Sequence, residues 1–241
     1  MNFNHETAVK EIAVSSPAAA QILENAGVDY CCGGSRPLDE ACTAAGVSAE
    51  DILARLGAGG EQVTPGDANW VSAPLSELTG HIQQKHHGYV RSAIPRIGAL
   101  LDKVKAKHGA NHPEIGTIES LFSRLGQEMI AHMQKEEIIL FPYIVRVERA
   151  RKEGAAVERP FFQTVRNPIQ MMMNEHDAAG DLARQIRKAS SEYAPTPDAC
   201  PSYKNLYNEL REFEADLHQH VHLENNILFP RALEIESRGE N

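Results

Sequence analysis

Apolar residues recur at the three- and four-residue spacing of α-helices along most of the chain, and few segments alternate apolar and polar residues as strands do. Beyond residue 73, glycine and proline concentrate in three short breaks between four long helical stretches. We predict helices over residues 75–107, 114–149, 162–190 and 203–236. Because short connections between long helices favour antiparallel neighbours, the pattern predicts an all-α fold centred on an antiparallel four-helix bundle.

The first 57 residues predict several short helices instead. Ser16-Pro17 has the order of an N-cap followed by proline at the first helical position, and Pro37 begins a second short helix. A segment rich in glycine and proline follows. We therefore predict a small helical domain over residues 1–57, a linker over 58–73 and the bundle over 74–241.

One pattern occurs twice in the predicted bundle, 88 residues apart. The segments His132–Pro142 and His220–Pro230 both read H-x-x-x-E-x-x-I-L-F-P. Because positions i and i+4 lie on one face of a helix, each copy places an imidazole beside a carboxylate. We expect Pro95 and Pro142 to distort their helices locally. Paired His and Glu side chains of this kind are what a metal pair inside a bundle requires.

Positions along the bundle axis indicate one further candidate histidine ligand from each half of the bundle. At 1.5 Å per residue, His132 lies roughly 25 Å from the end of the second predicted helix, and His176 lies roughly 21 Å from the start of the third. In the same way, His87 lies roughly 30 Å from the end of the first helix and His132 roughly 27 Å into the second. These levels match, so we predict that His87 and His176 join the two His-Glu pairs.

Four imidazoles and two carboxylates at one level suit a first-row metal such as iron, manganese or zinc. Two carboxylates that can bridge, with imidazoles at both ends, favour two metal ions. The Glu-x-x-His pattern of ferritin-like di-iron bundles is absent from the sequence. The six predicted ligands are His87, His132, Glu136, His176, His220 and Glu224.

Several ionisable residues near these ligands are expected to lie outside the metal's reach. His86 points about 100° away from His87 around the helix, and His108 lies roughly 31 Å beyond His87. His81 precedes His87 by nearly two turns and is a candidate for an outer contact. We expect solvent exposure for His218 and His222, and either solvent exposure or outer contacts for Glu137 and Glu175.

Charge and hydropathy narrow the classes of partner. The formal net charge is −9 and the sequence contains no basic block, which argues against nucleic acid and anionic membranes. No run approaches the roughly 20 apolar residues that a membrane helix needs. The segment Met1–Glu6 lacks the basic start and apolar core of a signal peptide. We therefore predict a cytoplasmic protein.

Two of the four cysteines, Cys31 and Cys32, are adjacent. Their Cα atoms are about 3.8 Å apart across a trans peptide, below the usual disulfide range of about 4.4–6.8 Å. They therefore indicate paired free thiols. We expect a nearby helix N-terminus to lower their pKa values and favour reactive or metal-passing thiolates. Cys42 and Cys200 are expected to be passive.

These motifs resemble those of known proteins. The repeated H-x-x-x-E on a four-helix bundle is similar to the hemerythrin-like domain, and Asp29–Gly34 in front of such a domain resembles the RIC (repair of iron centres) family. The resemblance covers essentially the whole chain. It implies two non-haem iron ions, oxo- and carboxylate-bridged, held by the six predicted ligands. Glu136 and Glu224 would be the bridges, and Cys31 and Cys32 the functional thiols.

The resemblance also implies a function. It predicts repair of iron–sulfur clusters damaged by nitrosative or oxidative stress, by iron donation, with damaged iron–sulfur proteins as partners and NO or O2 as small ligands. A di-iron nitric oxide reductase or scavenger and a hemerythrin-like carrier or sensor remain alternatives, and enzymatic turnover and a homodimer are left open. Hemerythrins carry another histidine where this chain has Gly180, so a more labile iron site is expected.

Overall fold

The computed structural model describes residues 3–58 and 69–237. In these ranges every regular element is helical, apart from one isolated bridge between Ala8 and Pro37. The α-helices are α1 Val9–Ser15, α2 Pro17–Asn25, α3 Leu38–Ala45, α4 Ala49–Ala58, α5 Leu75–His81, α6 Gly88–His108, α7 Glu114–Lys135, α8 Phe141–Glu153, α9 Arg166–Ala189, α10 Pro201–His222 and α11 Phe229–Ser237. Three π-helical turns are π1 Ile82–His87, π2 Glu136–Leu140 and π3 Leu223–Leu228. The all-α prediction is confirmed.

Four rods form the bundle: α5–π1–α6, α7–π2–α8, α9, and α10–π3–α11. Helix α6 packs against α7 and α10, and α7 packs against α9, so that the rods follow one another around the bundle in chain order. The predicted antiparallel bundle is therefore confirmed. Helix α9 begins at Arg166, later than predicted, because the Glu236 carboxylate accepts hydrogen bonds from Thr164 and the Val165 amide in a turn before it.

Two apolar clusters fill the bundle. One lies among α6, α7, α9 and α10 and includes Ile97, Phe122 and Leu210. The other lies among the shorter helices and includes Phe141 and Phe229. The His and Glu side chains of the repeat belong to neither cluster and are themselves buried. These polar groups are therefore kept from water by apolar packing on the surrounding helices.

The repeat's prolines explain two of the π-helical turns. Proline lacks an N–H and clashes with the carbonyl four residues earlier, so a regular α-helix cannot run through Pro142 or Pro230 unchanged. A π-turn moves the bonding by one residue: the Phe141 N–H donates to the Glu136 carbonyl, and the Phe229 N–H donates to the Glu224 carbonyl. The expected distortion is confirmed at Pro142 and also occurs at Pro230, whereas α6 continues through Pro95.

The N-terminal helices α1–α4 enclose a separate apolar core. The Ser16 hydroxyl accepts a hydrogen bond from the Ala19 amide with Pro17 at the first helical position, which confirms the predicted cap. Gly46, with φ +71°, ends α3 in the left-handed conformation that glycine adopts without strain. Residues 59–68 of the predicted linker lie outside the described residues, and the predicted domain boundaries stay predictions. Across the described ranges, each helix is too short or too polar to cross a bilayer.

Candidate metal centre

The structure brings all six predicted ligands into one buried layer, and none of the six is more than 2% exposed. Two come from the first and third rods, at the end of π1 and within α9. The other four come from the two copies of the repeat. In each copy the histidine lies in the last turn of an α-helix, and the glutamate lies in the π-turn that follows. The six are His87, His132, Glu136, His176, His220 and Glu224.

The ligand atoms form two groups that share both glutamates. The first donor group is His87, His220, Glu136 and Glu224, and the second is His132, His176 and the same two glutamates. Within each group all the donor atoms lie within 4.8 Å of one another. Such an arrangement can hold two cations with two shared carboxylates.

Each shared carboxylate lies between one histidine of each donor group. Glu224 Oε1 is 3.0 Å from His220 Nε2, and its Oε2 is 3.0 Å from His176 Nε2. Glu136 Oε2 is 3.4 Å from His87 Nε2 and 3.3 Å from His132 Nε2. Each carboxylate therefore lies where it could contact a cation in either donor group.

Unsatisfied buried atoms support a cation in this layer. Both carboxylate oxygens of Glu136 are buried without a hydrogen-bond partner, which is costly for a charged group unless a cation balances it. The Nε2 atoms of His87 and His220 face each other at 3.3 Å, and those of His132 and His176 at 3.0 Å. The converging lone pairs and buried carboxylates therefore fit a pair of metal ions.

The same neighbours set the protonation of the layer. Burial and the Glu224 carboxylate each act to raise the pKa of Glu136, but the imidazoles of His132 and His87 outweigh them and this pKa is lowered. Burial acts to lower the pKa of His132, but Glu136 and Glu175 raise it to about 10. The carboxylates are thus held in the ionised form that a metal ion needs.

Three of the four imidazoles are oriented by an outer acceptor at Nδ1. The pairs are His87 with Glu137 at 2.6 Å, His132 with Glu175 at 2.9 Å, and His176 with Asn225 Oδ1 at 2.9 Å. Because each Nδ1–H donates outward, Nε2 is the nitrogen that would bind a metal ion in the layer, and at His132 that ion would displace the Nε2 proton. Glu137 and Glu175 were expected either in solvent or in contact with the histidines from outside the donor groups, and the structure shows these contacts. The hydrogen bond from His132 lowers the pKa of Glu175 to about 2 despite partial burial.

The expectation for two other histidines is wrong. His222 is buried, and its Nδ1 accepts a hydrogen bond from Asn226 Nδ2. Burial lowers the pKa of His222 to about 4. His218 is half-buried, with Nδ1 3.1 Å from the Glu24 carboxylate in the N-terminal domain. Both residues were expected in solvent, but the N-terminal domain packs against this face of α10.

His86, His81 and His108 lie outside the donor groups, as predicted. His86 is fully buried, with Nδ1 2.9 Å from Asp216, and its ring stacks on His220 at 5.8 Å. The His81 ring lies 4.4 Å from Trp70 and meets the edge of His86. His81 therefore reaches the layer only through His86, and His108 contacts Cys200 at the other end of α6.

The paired thiols lie directly beside the metal layer. Cys31 and Cys32 are both unbonded, with their Sγ atoms 3.8 Å apart, which confirms the prediction of free thiols. The Cys32 thiol lies 3.7 Å from the His176 carbonyl oxygen. The pKa of Cys31 is raised, by its hydrogen bond to Cys32 and by burial, so the predicted lowering is wrong for this residue. The reason is that α3 begins only at Leu38, too far away to stabilise a thiolate.

Gly180 makes room for the Cys32 thiol. It lies one turn after His176 on α9, and a Cβ at this position would be 3.3 Å from Cys32 Sγ. The position that carries a second histidine in hemerythrins is therefore covered here by a cysteine of the N-terminal domain.

Three polar residues that the sequence reasoning missed hold this cysteine loop. Asn225 Nδ2 donates to the Cys31 carbonyl at 3.3 Å, and Asn226 Nδ2 donates to the Tyr30 carbonyl at 2.9 Å. Asp29 Oδ1 accepts from the Cys32 and Gly33 amides, each at 3.0 Å. The difference between Glu136-Glu137 in one copy of the repeat and Glu224-Asn225 in the other was the available signal.

Comparison with known proteins agrees with this site. Residues 80–232, more than half of the chain, match the family model described as the hemerythrin HHE cation binding domain. The chain belongs to this family, which implies a non-haem iron site that the donor set fits. Residues 5–59 match a second model, ScdA_N, described as a domain of unknown function (DUF542).

Curated relatives cover both matched regions. The chain is 36% identical over 224 residues to the iron-sulfur cluster repair protein YtfE of Citrobacter koseri, with 92% of this chain and 94% of that protein aligned. The same values hold for the proteins of that name from Escherichia coli O8 and Shigella boydii serotype 4. The resemblance to the RIC type is thereby confirmed.

Proposed function

We propose that this chain is a di-iron protein that restores iron–sulfur clusters damaged by nitrosative or oxidative stress, and that it does so by donating iron. The observation that carries the proposal is the pair of buried donor groups sharing Glu136 and Glu224, with two free thiols beside them. The name of the relatives, iron-sulfur cluster repair protein, supports the repair role. Damaged iron–sulfur proteins are then the partners.

Each donor group would hold one iron ion, and the shared glutamates would bridge the pair. Two imidazoles and two carboxylates per ion form a nitrogen and oxygen set that suits iron better than the softest metals. The iron pair supplies transferable, redox-active metal ions. The outer acceptors at Nδ1 keep the imidazole Nε2 atoms in place for binding.

The second donor group is the proposed point of release. The Cys32 thiol contacts the backbone of His176, a ligand of that group, and a thiolate is a soft donor that competes for iron. Because its hydrogen bond to Cys32 and burial raise the pKa of Cys31, the Cys31 thiol holds its proton in the resting protein. An iron ion that leaves the imidazoles would displace this proton as it binds the thiols.

Turnover of nitric oxide at the same metals is the second candidate. It is favoured by Gly180, which supplies no side-chain ligand one turn after His176, so that the second donor group has two imidazoles and a small molecule such as NO or O2 could be a further ligand. Steady-state NO consumption with an electron donor, at a rate that the thiol variants keep, supports this candidate over iron donation. A carrier or sensor would need neither the thiols nor turnover.

The test is repair of a damaged partner. Iron-loaded protein is incubated with an aconitase-type enzyme whose cluster has been destroyed by NO, and aconitase activity is followed. We expect reactivation by the wild type and by Cys42→Ala, a control in the N-terminal core. The Cys31→Ala/Cys32→Ala variant is expected to keep its iron but lose repair. Iron donation is wrong if the wild type cannot reactivate the enzyme, or if the double variant repairs as well as the wild type.

A further inference from the structure

Three potential metal ligands meet at the far end of the bundle, and a fourth, the Cys200 thiol, lies beside one of them. His108 ends α6 and His112 follows it, while Asp198 and Cys200 precede α10. The donor atoms of His108, His112 and Asp198 lie within 4.8 Å of one another. His112 Nε2 is 3.1 Å from Asp198 Oδ2, and His108 Nε2 is 3.2 Å from Cys200 Sγ. We name these four residues the end cluster.

His112 is supported in the same way as the imidazoles of the metal centre. Its Nδ1 lies 2.8 Å from Glu114 Oε1, and the Tyr203 hydroxyl donates to the same oxygen at 3.0 Å. This arrangement repeats the contact between His87 Nδ1 and Glu137. A carboxylate behind Nδ1 fixes the tautomer and directs the other nitrogen toward a ligand. The His112 side chain is only 12% exposed, so its position is set by packing.

An ordinary surface ion pair in the same protein is built differently. His5 and Asp39 lie 3.1 Å apart, but their side chains are 42% and 66% exposed. Among the groups of three or more potential donors in the described ranges, the pair does not occur, whereas His112 and Asp198 do. The two pairs differ in the histidine, because the His112 side chain is 12% exposed, whereas Asp198 at 61% is about as exposed as Asp39.

The donor set and spacing indicate the kind of ligand. Around a tetrahedral zinc ion with bonds of about 2.0–2.3 Å, neighbouring donor atoms lie about 3.3–3.8 Å apart. The two contacts of the end cluster are slightly shorter, and Cys200, which contacts His108 but lies outside the group of three donors, would move toward that group to become the fourth ligand. Two imidazoles, a carboxylate and a thiolate together form a set that zinc favours.

We propose that the end cluster binds a divalent cation of the zinc type, with His108, His112, Asp198 and Cys200 as its four ligands. Four protein ligands leave no open position, so the ion has a structural role. It joins the connection between α6 and α7 to the segment before α10, and closes the bundle at the end away from the iron ligands.

The test measures metal content in the iron-loaded full-length protein. Zinc is added in slight excess, unbound metal is removed, and iron and zinc are quantified together. The wild type and His5→Ala are expected to retain one zinc per chain without losing iron. His112→Ala and Asp198→Asn are expected to keep their iron, which reports a folded bundle, while zinc affinity falls roughly 10-fold or more. Absence of added zinc in the wild type, or its full retention in His112→Ala, overturns the proposal.

Cobalt in place of zinc tests the thiolate separately. Bound to the iron-loaded wild type, cobalt is expected to show a sulfur-to-cobalt charge-transfer band in the near ultraviolet. The band should be lost in Cys200→Ser and kept in Cys42→Ser. A band that survives in Cys200→Ser overturns the four-ligand assignment.

Discussion

The two halves of the metal centre contain the same ligands but hold them differently. In the first half, Glu137 follows Glu136 and accepts a hydrogen bond from His87. In the second half, Asn225 follows Glu224 and accepts one from His176. A carboxylate on one side thus corresponds to a neutral amide on the other.

The residues before the lone histidines differ in the opposite sense. Glu175 precedes His176 and accepts a hydrogen bond from His132. The corresponding His86 only stacks on His220, whose Nδ1 has no hydrogen-bond partner in the described part of the chain. Each donor group therefore contains one imidazole backed by a carboxylate and one without a charged partner.

The comparison of Glu137 with Asn225 indicates what an amide provides in place of a carboxylate. A carboxylate behind an imidazole raises its basicity and strengthens metal binding. Asn225 gives up that effect, but its Nδ2 holds the Cys31 carbonyl. At His176 the amide takes the place of the charged acceptor that His87 has, and it contacts the thiol loop on the side where we propose that iron leaves.

The largest expected effect comes from removing what the two halves share. Because Glu224 belongs to both donor groups, Glu224→Ala should reduce iron from two ions per chain to less than one. Iron quantification after desalting measures it. Glu128→Ala, on an exposed turn of α7, is the matched control and should keep both ions. Retention of two tightly bound ions in Glu224→Ala would show that the carboxylate is not shared.

Next in size is the effect of the outer carboxylates. Glu137→Gln and Glu175→Gln should each weaken iron retention about 10–100-fold, because the imidazole loses a charged acceptor. The rate of iron loss to a strong chelator measures the change. Asn225→Ala should have a smaller effect on this rate, since only a neutral acceptor is lost. Equal rates for the three variants would contradict the proposed asymmetry.

A smaller and opposite effect is expected when the halves are made alike. Asn225→Asp gives His176 a carboxylate partner, so iron release to the chelator should slow by up to about 10-fold. The same change removes the donor to the Cys31 carbonyl, and alkylation of the two thiols should become faster. If release is unchanged while alkylation is faster, Asn225 serves only the loop.

The smallest effect concerns the space beside Cys32. Gly98→Ala, where the new Cβ would meet nothing within 4 Å, should stabilise α6 by about 0.5–1 kcal/mol. Gly180→Ala should gain less, because its Cβ would crowd Cys32 Sγ at 3.3 Å. Thermal unfolding of the two variants measures these changes in stability. If the two variants gain the same stability, and Cys32 of Gly180→Ala is alkylated at the wild-type rate, the Cys32 thiol does not lie against Gly180.

The convergence of the six candidate ligands was predictable because it depends on local geometry. The i, i+4 relation within each copy of the repeat and the heights of the antiparallel helices locate the six side chains without knowledge of other contacts. A distortion was predicted at Pro142, and the structure shows one at Pro230 as well. The π-helical form of both follows from the backbone hydrogen bonds around each proline.

The remaining features depend on contacts between distant parts of the chain. The burial of His222 and the partner of His218 arise where the N-terminal domain meets α10. The pKa of Cys31 follows from burial beside Cys32, which periodicity cannot reveal. The end cluster could not be predicted because its residues are far apart in the sequence. His108 and His112 lie at the end of α6 and just after it, whereas Asp198 and Cys200 lie just before α10.

The most direct test of the shared-glutamate account is Mössbauer spectroscopy of the iron-loaded protein, combined with iron quantification and an optical spectrum. Two irons per chain in a spin-coupled ferric pair, with the absorption of an oxo bridge, are the predicted result. One ion per chain, two magnetically independent irons, or zinc in place of iron would contradict it.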